Sequence, residues 1–357
     1  MCCDTMFSFI KYSKIENSYQ KDFIQKIQER GMANQQYVVE EKINGANLSL
    51  WITMSDLRVA KRTAFLTPDE KFFNYQRVVA KYQEQAKQLS TLSQNWAKEQ
   101  DIGTIYLVVV YGELFGGYYP HPDVPPVPNA KQVAKGVAYS AENDYYAFDI
   151  RVTTTNGDHH YPDVYTRNQL LKEAGFFYPQ PLFTGTLAEC LAYPTAFESI
   201  IPQQLGLPPI KGNFCEGVVI KPVKTSFLPN GKRIILKNKN KKFQEKGKVK
   251  KRSDRSPQPI PTHLLKFVDI ASQYITKTRY ENLISKYGQF STQEFGKLLG
   301  LYIKDLLEDF IEEHGEAFNA LPKNERRQIT RKLNKEVSKF LRSYLEEEKE
   351  EKINQKI

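Results

Sequence analysis

Residues 37–52 read Tyr37-Val-Val-Glu-Glu-Lys-Ile-Asn-Gly-Ala-Asn-Leu-Ser-Leu-Trp-Ile52. Apolar, β-branched and aromatic residues crowd both ends of this stretch, and Lys42-Ile-Asn-Gly45 separates them. The pattern predicts two short strands joined by a turn, with the lysine at the edge of a sheet-lined pocket. The tetrapeptide alone selects nothing. The same Lys-x-x-Gly spacing recurs at Lys172–Gly175 and Lys297–Gly300, where the surroundings read as helix and a surface lysine is the ordinary interpretation.

Further strand-like runs occur at Ile105–Tyr111, Tyr145–Val152, Gly217–Ile220 and Arg233–Leu236. Helical spacing covers Asp69–Asn95 and Thr166–Ala174, so residues 1–246 are expected to form an α+β domain of antiparallel sheets and helices. Tyr111–Pro126 holds Gly112, Gly116, Gly117 and four prolines, which suits a close-packed loop or a nucleic-acid surface, the loop being preferred. Residues 247–262 combine basic residues with three prolines and read as an exposed linker. Beyond it, Leu264–Tyr287, Thr292–Glu313 and Lys323–Glu347 place apolar residues three and four apart, so 263–357 should be a small all-α domain. Its end, Glu346–Lys352, reads as a solvated helix terminus.

Lys and Arg number 51 against 41 Asp and Glu, a net charge of +10 that favours a polyanionic partner. The four cysteines (Cys2, Cys3, Cys190, Cys215) form no Cys-x-x-Cys pair and the five histidines show no ligand spacing, which argues against a zinc site or a disulfide framework. No segment approaches the ~20 apolar residues of a bilayer span, so no membrane partner is expected. The expected location is the cytoplasm. The basic run Lys246–Arg255 keeps a nuclear location open, although such runs are usually solvated linkers.

Five more motifs, in a fixed order along the chain, set Lys42 apart: Ala60-Lys-Arg-Thr63, Tyr111-Gly-Glu-Leu114, Tyr146-Ala-Phe-Asp-Ile150, Glu216-Gly-Val-Val-Ile-Lys221 and Leu236-Lys-Asn-Lys239. Singly, Glu216 reads as a surface ion pair and Phe148 as core. Together the series resembles the motifs of covalent nucleotidyltransferases, the ligases and capping enzymes. In detail it looks like the RNA ligase 2 family of phage and kinetoplastid RNA-editing ligases. Phe9–Asn17, Lys242–Lys246, Ile284–Gly288 and Phe295–Leu301 carry the likeness over nearly the whole chain, and the last two favour the phage branch.

The resemblance implies an ATP-dependent RNA ligase. Lys42 would take AMP from ATP, pass it to an RNA 5′-phosphate, and a neighbouring 3′-hydroxyl would displace it, at nicks in duplex RNA. Glu41, Lys42, Asn47, Arg62 and Glu113 would bind nucleotide together with Phe148, Glu216, Lys221, Lys237 and Lys239. Within that set Phe148 would stack on adenine, Glu113 would contact ribose, Arg62 would act around the nucleotide and the 5′-phosphate, and the three later lysines would hold phosphates. Glu113 and Glu216 would organise Mg²⁺ or Mn²⁺, and the protein would act as a monomer.

The chemistry accounts for these residue types. A lysine attacks phosphorus only as the free amine, and an ordinary pKa of ~10.4 leaves well under 1% neutral at pH 7. Arg62, Lys221, Lys237 and Lys239 are expected to favour the neutral amine, and a divalent metal to offset the triphosphate. Two positions depart from the family pattern. Asn44 stands where the double-strand ligases usually have histidine, and Glu40 stands where arginine is expected, adding negative charge near Lys42. DNA ligases and capping enzymes remain as alternatives, but both usually have an OB-fold rather than helices after their catalytic domain. A non-catalytic RNA-binding relative is the alternative of another class.

Overall fold

The computed structural model describes residues 8–243 and 261–354. These fall into two compact units. The first ends at Phe243 and also takes in Ser285–Tyr287; the second holds the other helical residues of the C-terminal part. Most of the expected linker, the Lys246–Arg255 run and Cys2 and Cys3 lie outside the described residues.

In chain order the first unit contains β1 (Glu16–Asn17), α1 (Lys21–Glu29), β2 (Tyr37–Glu41), β3 (Ala46–Ile52), β4 (Leu57–Lys61), α2 (Tyr75–Lys81) and α3 (Gln83–Glu99). Next come β5 (Ile105–Tyr118), β6 (Ser140–Thr154), β7 (His159–His160), α4 (Val164–Ala174), β8 (Pro181–Gly185), α5 (Leu187–Leu191), α6 (Ile201–Gln204), β9 (Gly217–Pro222) and β10 (Leu236–Lys239). One sheet has the order β1-β10-β9-β2-β8 and the other β4-β3-β5-β6-β7. Apart from the parallel β1–β10 pair, neighbouring strands are antiparallel.

Strand β2 lies inside one sheet and β3 inside the other, so the Lys42–Gly45 turn is the crossing between sheets. Both strands are almost wholly buried, and their near-continuous apolar runs are the sequence signature of that position. Leu48, Leu50, Val108, Val110 and Ile150 pack beneath α2, α3 and α4, while Val39, Val218 and Ile220 pack with Phe23 and Ile27 of α1. A third cluster around Tyr12, Trp51, Tyr111 and Ile235 draws on both sheets.

Three expectations change. The helix expected over Asp69–Asn95 breaks at Tyr82, which separates α2 from α3 and buries its ring. Arg233–Leu236 joins the sheet only at its end, where β10 begins at Leu236, while Arg233 forms an isolated antiparallel bridge with Phe227. Tyr111–Tyr118, preferred as loop, continues β5 in a long ladder with β6, and irregular register at Tyr111/Gly112 and Gly116/Tyr118 absorbs its glycines.

Two glycines are required by close approach. A Cβ at Gly45 would sit 2.3 Å from the Leu114 carbonyl oxygen and 2.8 Å from Cγ of Glu113. Gly217 has φ +145°, and a Cβ there would sit 2.2 Å from the Asn238 carbonyl oxygen. Each lets a functional strand come within reach of the next.

The second unit comprises α7 (Thr262–Ser272), α8 (Lys277–Tyr287, whose last three residues group with the first unit), α9 (Phe295–Asn319) and α10 (Lys323–Asn354). Leu264, Val268, Tyr302, Leu306, Phe310, Ile329, Leu333, Val337 and Leu341 are buried in this bundle, on the three- and four-residue spacing of the sequence. No helix among the described residues is long and apolar enough to cross a membrane. Fully buried Arg279 of α8 bonds Asp305 and Asp309 of α9, the latter at 2.7 Å. Arg279→Met should cost about 3 kcal/mol of stability, because the two aspartates lose their counter-charge. Urea unfolding of the full chain measures it.

Candidate active site

Backbone pairing assembles the site. The Lys42 amide donates to the Gly217 carbonyl at 2.9 Å, extending the β2–β9 ladder, and Lys239 of β10 lies opposite Gly217. Glu216 therefore arrives between two lysines from different strands. Its Oε2 is 2.6 Å from Lys42 Nζ, and its Oε1 is 3.2 Å from Lys239 Nζ. Burial works against the Glu216 charge, but the two ammonium groups outweigh it and hold its pKa below the ordinary carboxylate value.

Glu113 comes from the other sheet, where β5 sets it opposite Asn47 of β3. Burial pushes its pKa up to about 7 against the pull of Lys42, and the Glu216 charge pushes it further the same way. The Gly45 amide donates to it. Asn47 Nδ2 donates to the Gly112 carbonyl at 3.3 Å, and Arg62 Nη1 donates to the Tyr12 carbonyl at 2.9 Å. On β10, Lys237 and Lys239 share a face because side chains alternate. Phe148 is half-buried, with the Tyr12 ring edge-on at 5.2 Å.

Lys42, Glu113, Glu216 and Lys239 are thus brought together. Lys221, expected to hold phosphate, is fully buried instead in an ion pair with Glu40 at 2.9 Å, and it also donates to the Phe148 carbonyl at 3.3 Å. Glu41 accepts from the Ser199 hydroxyl at 2.6 Å and the Ile200 amide at 2.9 Å. Among the described residues no three His, Cys, Asp or Glu side chains gather as a metal site; Glu113 and Glu216 stand as a pair.

The expectation that Glu40 adds free negative charge near Lys42 is corrected. Successive strand residues face opposite ways, and the Glu40 carboxylate meets Arg167 of α4 through both terminal nitrogens as well as Lys221. Burial opposes its ionisation, yet these two cations hold its pKa below the ordinary value. Arg167 Nη1 also donates to the Phe148 carbonyl at 2.8 Å, so the trio fixes the backbone beneath the expected adenine-stacking residue. Asn44 is likewise committed: its amide donates to the Tyr139 hydroxyl and its Nδ2 to the Lys135 carbonyl, both at 2.9 Å.

Sequence reasoning missed Arg167, Ser199, Tyr139 and the buried Asp149, which accepts from Tyr12 at 2.7 Å and from Arg233 at 2.5 Å. For Arg167 a signal existed. It occupies the apolar stripe of α4 with Val164, Leu170, Leu171 and Ala174, where an arginine needs a buried acid.

This is a mixed α+β nucleotidyltransferase domain, with a lysine–carboxylate centre between two sheets, succeeded along the chain by helices. The family model described as RNA ligase matches residues 35–239, and the one described as T4 RNA ligase 2 C-terminal matches 261–339. The chain belongs to the RNA ligase family, and its C-terminal helices are of the RNA ligase 2 type. It is 26% identical to the mitochondrial RNA-editing ligase 2 of Trypanosoma brucei brucei, over 90% of this chain and 88% of that protein. Identity to the mitochondrial RNA-editing ligase 1 of the same organism is 32%, over 56% of this chain and 48% of that protein, about half its length. A Naegleria gruberi RNA ligase solved with PPi is 17% identical with a TM-score of 0.41, covering 66% of this chain and 58% of that one.

The buried charges lead to two measurable outcomes. Glu40→Arg would leave three cations together and should destabilise the fold by about 3–5 kcal/mol, whereas adding Arg167→Glu restores part of that loss; denaturant titration of both variants reads it. Burial pushes Glu41 up to about 7 from an ordinary 4.5, against the hydrogen bonds from Ser199 and Ile200. Between those values the folded state binds the extra proton, so Glu41 lowers stability as pH rises through that window. Glu41→Gln should flatten this part of the stability–pH curve, measured by urea unfolding at stepped pH.

Proposed function

We propose that this protein is an ATP-dependent RNA ligase that carries AMP on Lys42 and seals nicks in duplex RNA. The observation that carries the reading is the contact of Lys42 with Glu216, with Glu113 and Lys239 gathered around it from other strands. In the first step the Lys42 Nζ lone pair forms a bond to the α-phosphorus of ATP as the bond to pyrophosphate breaks. Glu216 Oε2 is the nearest acceptor for the proton that Nζ must release. AMP then passes to an RNA 5′-phosphate, and a 3′-hydroxyl displaces it to form the phosphodiester. Lys237 and Lys239 lie on one strand face, where they suit phosphate oxygens.

Two carboxylates are what Mg²⁺ or Mn²⁺ commonly takes from a protein when substrate phosphates complete its shell, and Glu113 and Glu216 meet that requirement. When bound, the metal would neutralise charge on the phosphates. The helices after residue 261 favour an RNA ligase over a DNA ligase or capping enzyme, and the T4 RNA ligase 2 C-terminal match supports that choice.

Sealing of a 5′-phosphorylated nick in duplex RNA, with ATP and Mg²⁺, tests the proposal. Wild type should seal it, Lys42→Ala should lose at least about a thousandfold in rate, and GTP should not replace ATP. Equal sealing by Lys42→Ala would exclude the mechanism, and sealing confined to DNA nicks would exclude the substrate.

A further inference from the structure

Helix α10 carries Lys323, Arg327, Arg331, Lys335 and Lys339 at successive four-residue steps, all exposed, with exposed Arg342 beside the end of the row. Each four-residue step advances about 6 Å along the axis and turns by only about 40°, so successive cations are neighbours and the row winds gradually round the helix. From Arg327 to Ser343 every exposed residue of α10 is a cation or a serine. The acids in that part of the chain face elsewhere: Glu325 pairs with His263, and Glu336 accepts from Ser272 of α7 at 2.6 Å. Glu346 marks the first exposed acid beyond the row. None of the five cations pairs with a carboxylate among the described residues.

Stability does not explain this arrangement. Like charges four residues apart repel, and here four such pairs come one after another. Lys323 also opens the helix, where the macrodipole disfavours a cation. The inner face holds α10 in the bundle through Ile329, Leu333, Val337 and Leu341 and needs none of the five.

We infer that this row is a binding surface for a nucleic-acid backbone. The row spans about 24 Å, comparable with about seven nucleotides of one strand. Long, unpaired Lys and Arg side chains at regular intervals suit a repeating line of phosphates and read no bases, so the surface contributes affinity independent of sequence. Resting on the proposed ligase function, the ligand is the RNA flanking the break, held by a unit that does not contain Lys42. Phe295 also presents its ring to Arg342, with the guanidinium 4.7 Å from the ring centre, which fixes that cation at the end of the row.

The test uses the full chain with K323Q, R327Q, R331Q, K335Q and K339Q combined, and a second variant, R327K with R331K, that keeps every charge. Equilibrium binding to a nicked, 5′-phosphorylated RNA duplex is measured across a salt series. Removing five phosphate contacts should lower the slope of log affinity against log salt by about 4 and weaken binding at physiological salt by at least about tenfold. The charge-keeping variant should behave as wild type. AMP transfer to Lys42 from ATP without RNA should be unchanged in both. An unaltered slope in the glutamine variant, or an equal loss in the charge-keeping one, overturns the inference. Absence of any AMP adduct in wild type would instead strike the proposed function, and it leaves the binding result to stand on its own.

Discussion

Everything at the centre of the first unit depends on one contact, the 2.6 Å ion pair between Lys42 and Glu216. The two residues are 174 positions apart in the chain, and the sheets exist in the form that joins them. Strand β2 delivers the lysine at its end, β9 begins one residue after the glutamate, and the backbone bond from Lys42 to Gly217 locks the register. Slipping that ladder by one residue would turn the side chains to the opposite face. The glycines at 45 and 217 serve the same contact, since a side chain at either would push a neighbouring strand away.

A layer of buried charge lies behind the site. Glu40, Arg167 and Lys221 satisfy one another beneath Phe148, and Asp149 does the same with Arg233 and Tyr12. Such groups add little net stability compared with apolar packing, but breaking one is costly. Their effect is to fix the backbone of β6 and the end of β2 in one arrangement. Phosphoryl transfer asks a protein mainly for position and charge, and preset groups meet that requirement before substrate arrives.

Much of this was legible in the sequence because each motif is local. The strands flanking Lys42, the glutamates at 113 and 216 and the lysines at 237 and 239 all lie in short runs whose order could be read. Pairing across the chain could not. Glu40 looked like a loose negative charge because its partner Arg167 is 127 residues away on a helix. Glycine and proline between Tyr111 and Pro126 suggested a loop, yet bulges let β5 run on to Tyr118. Tyr82 fits the helical period on both sides, and only its burial against the β6 residues Asp144 and Tyr145 reveals why the helix breaks there. The basic row of α10 went unread in the sequence, because its exposure and lack of acidic partners belong to the folded bundle.

Two lysines, Lys42 and Lys239, share the Glu216 carboxylate, and the proposed function requires Lys42 to be the nucleophile. Peptide mapping by mass spectrometry, after incubating the protein with ATP and Mg²⁺, addresses this directly. The result expected is a single AMP on the peptide containing Lys42, bound through nitrogen. AMP on Lys239 or Lys237, or a folded protein that acquires no AMP at all, would contradict it.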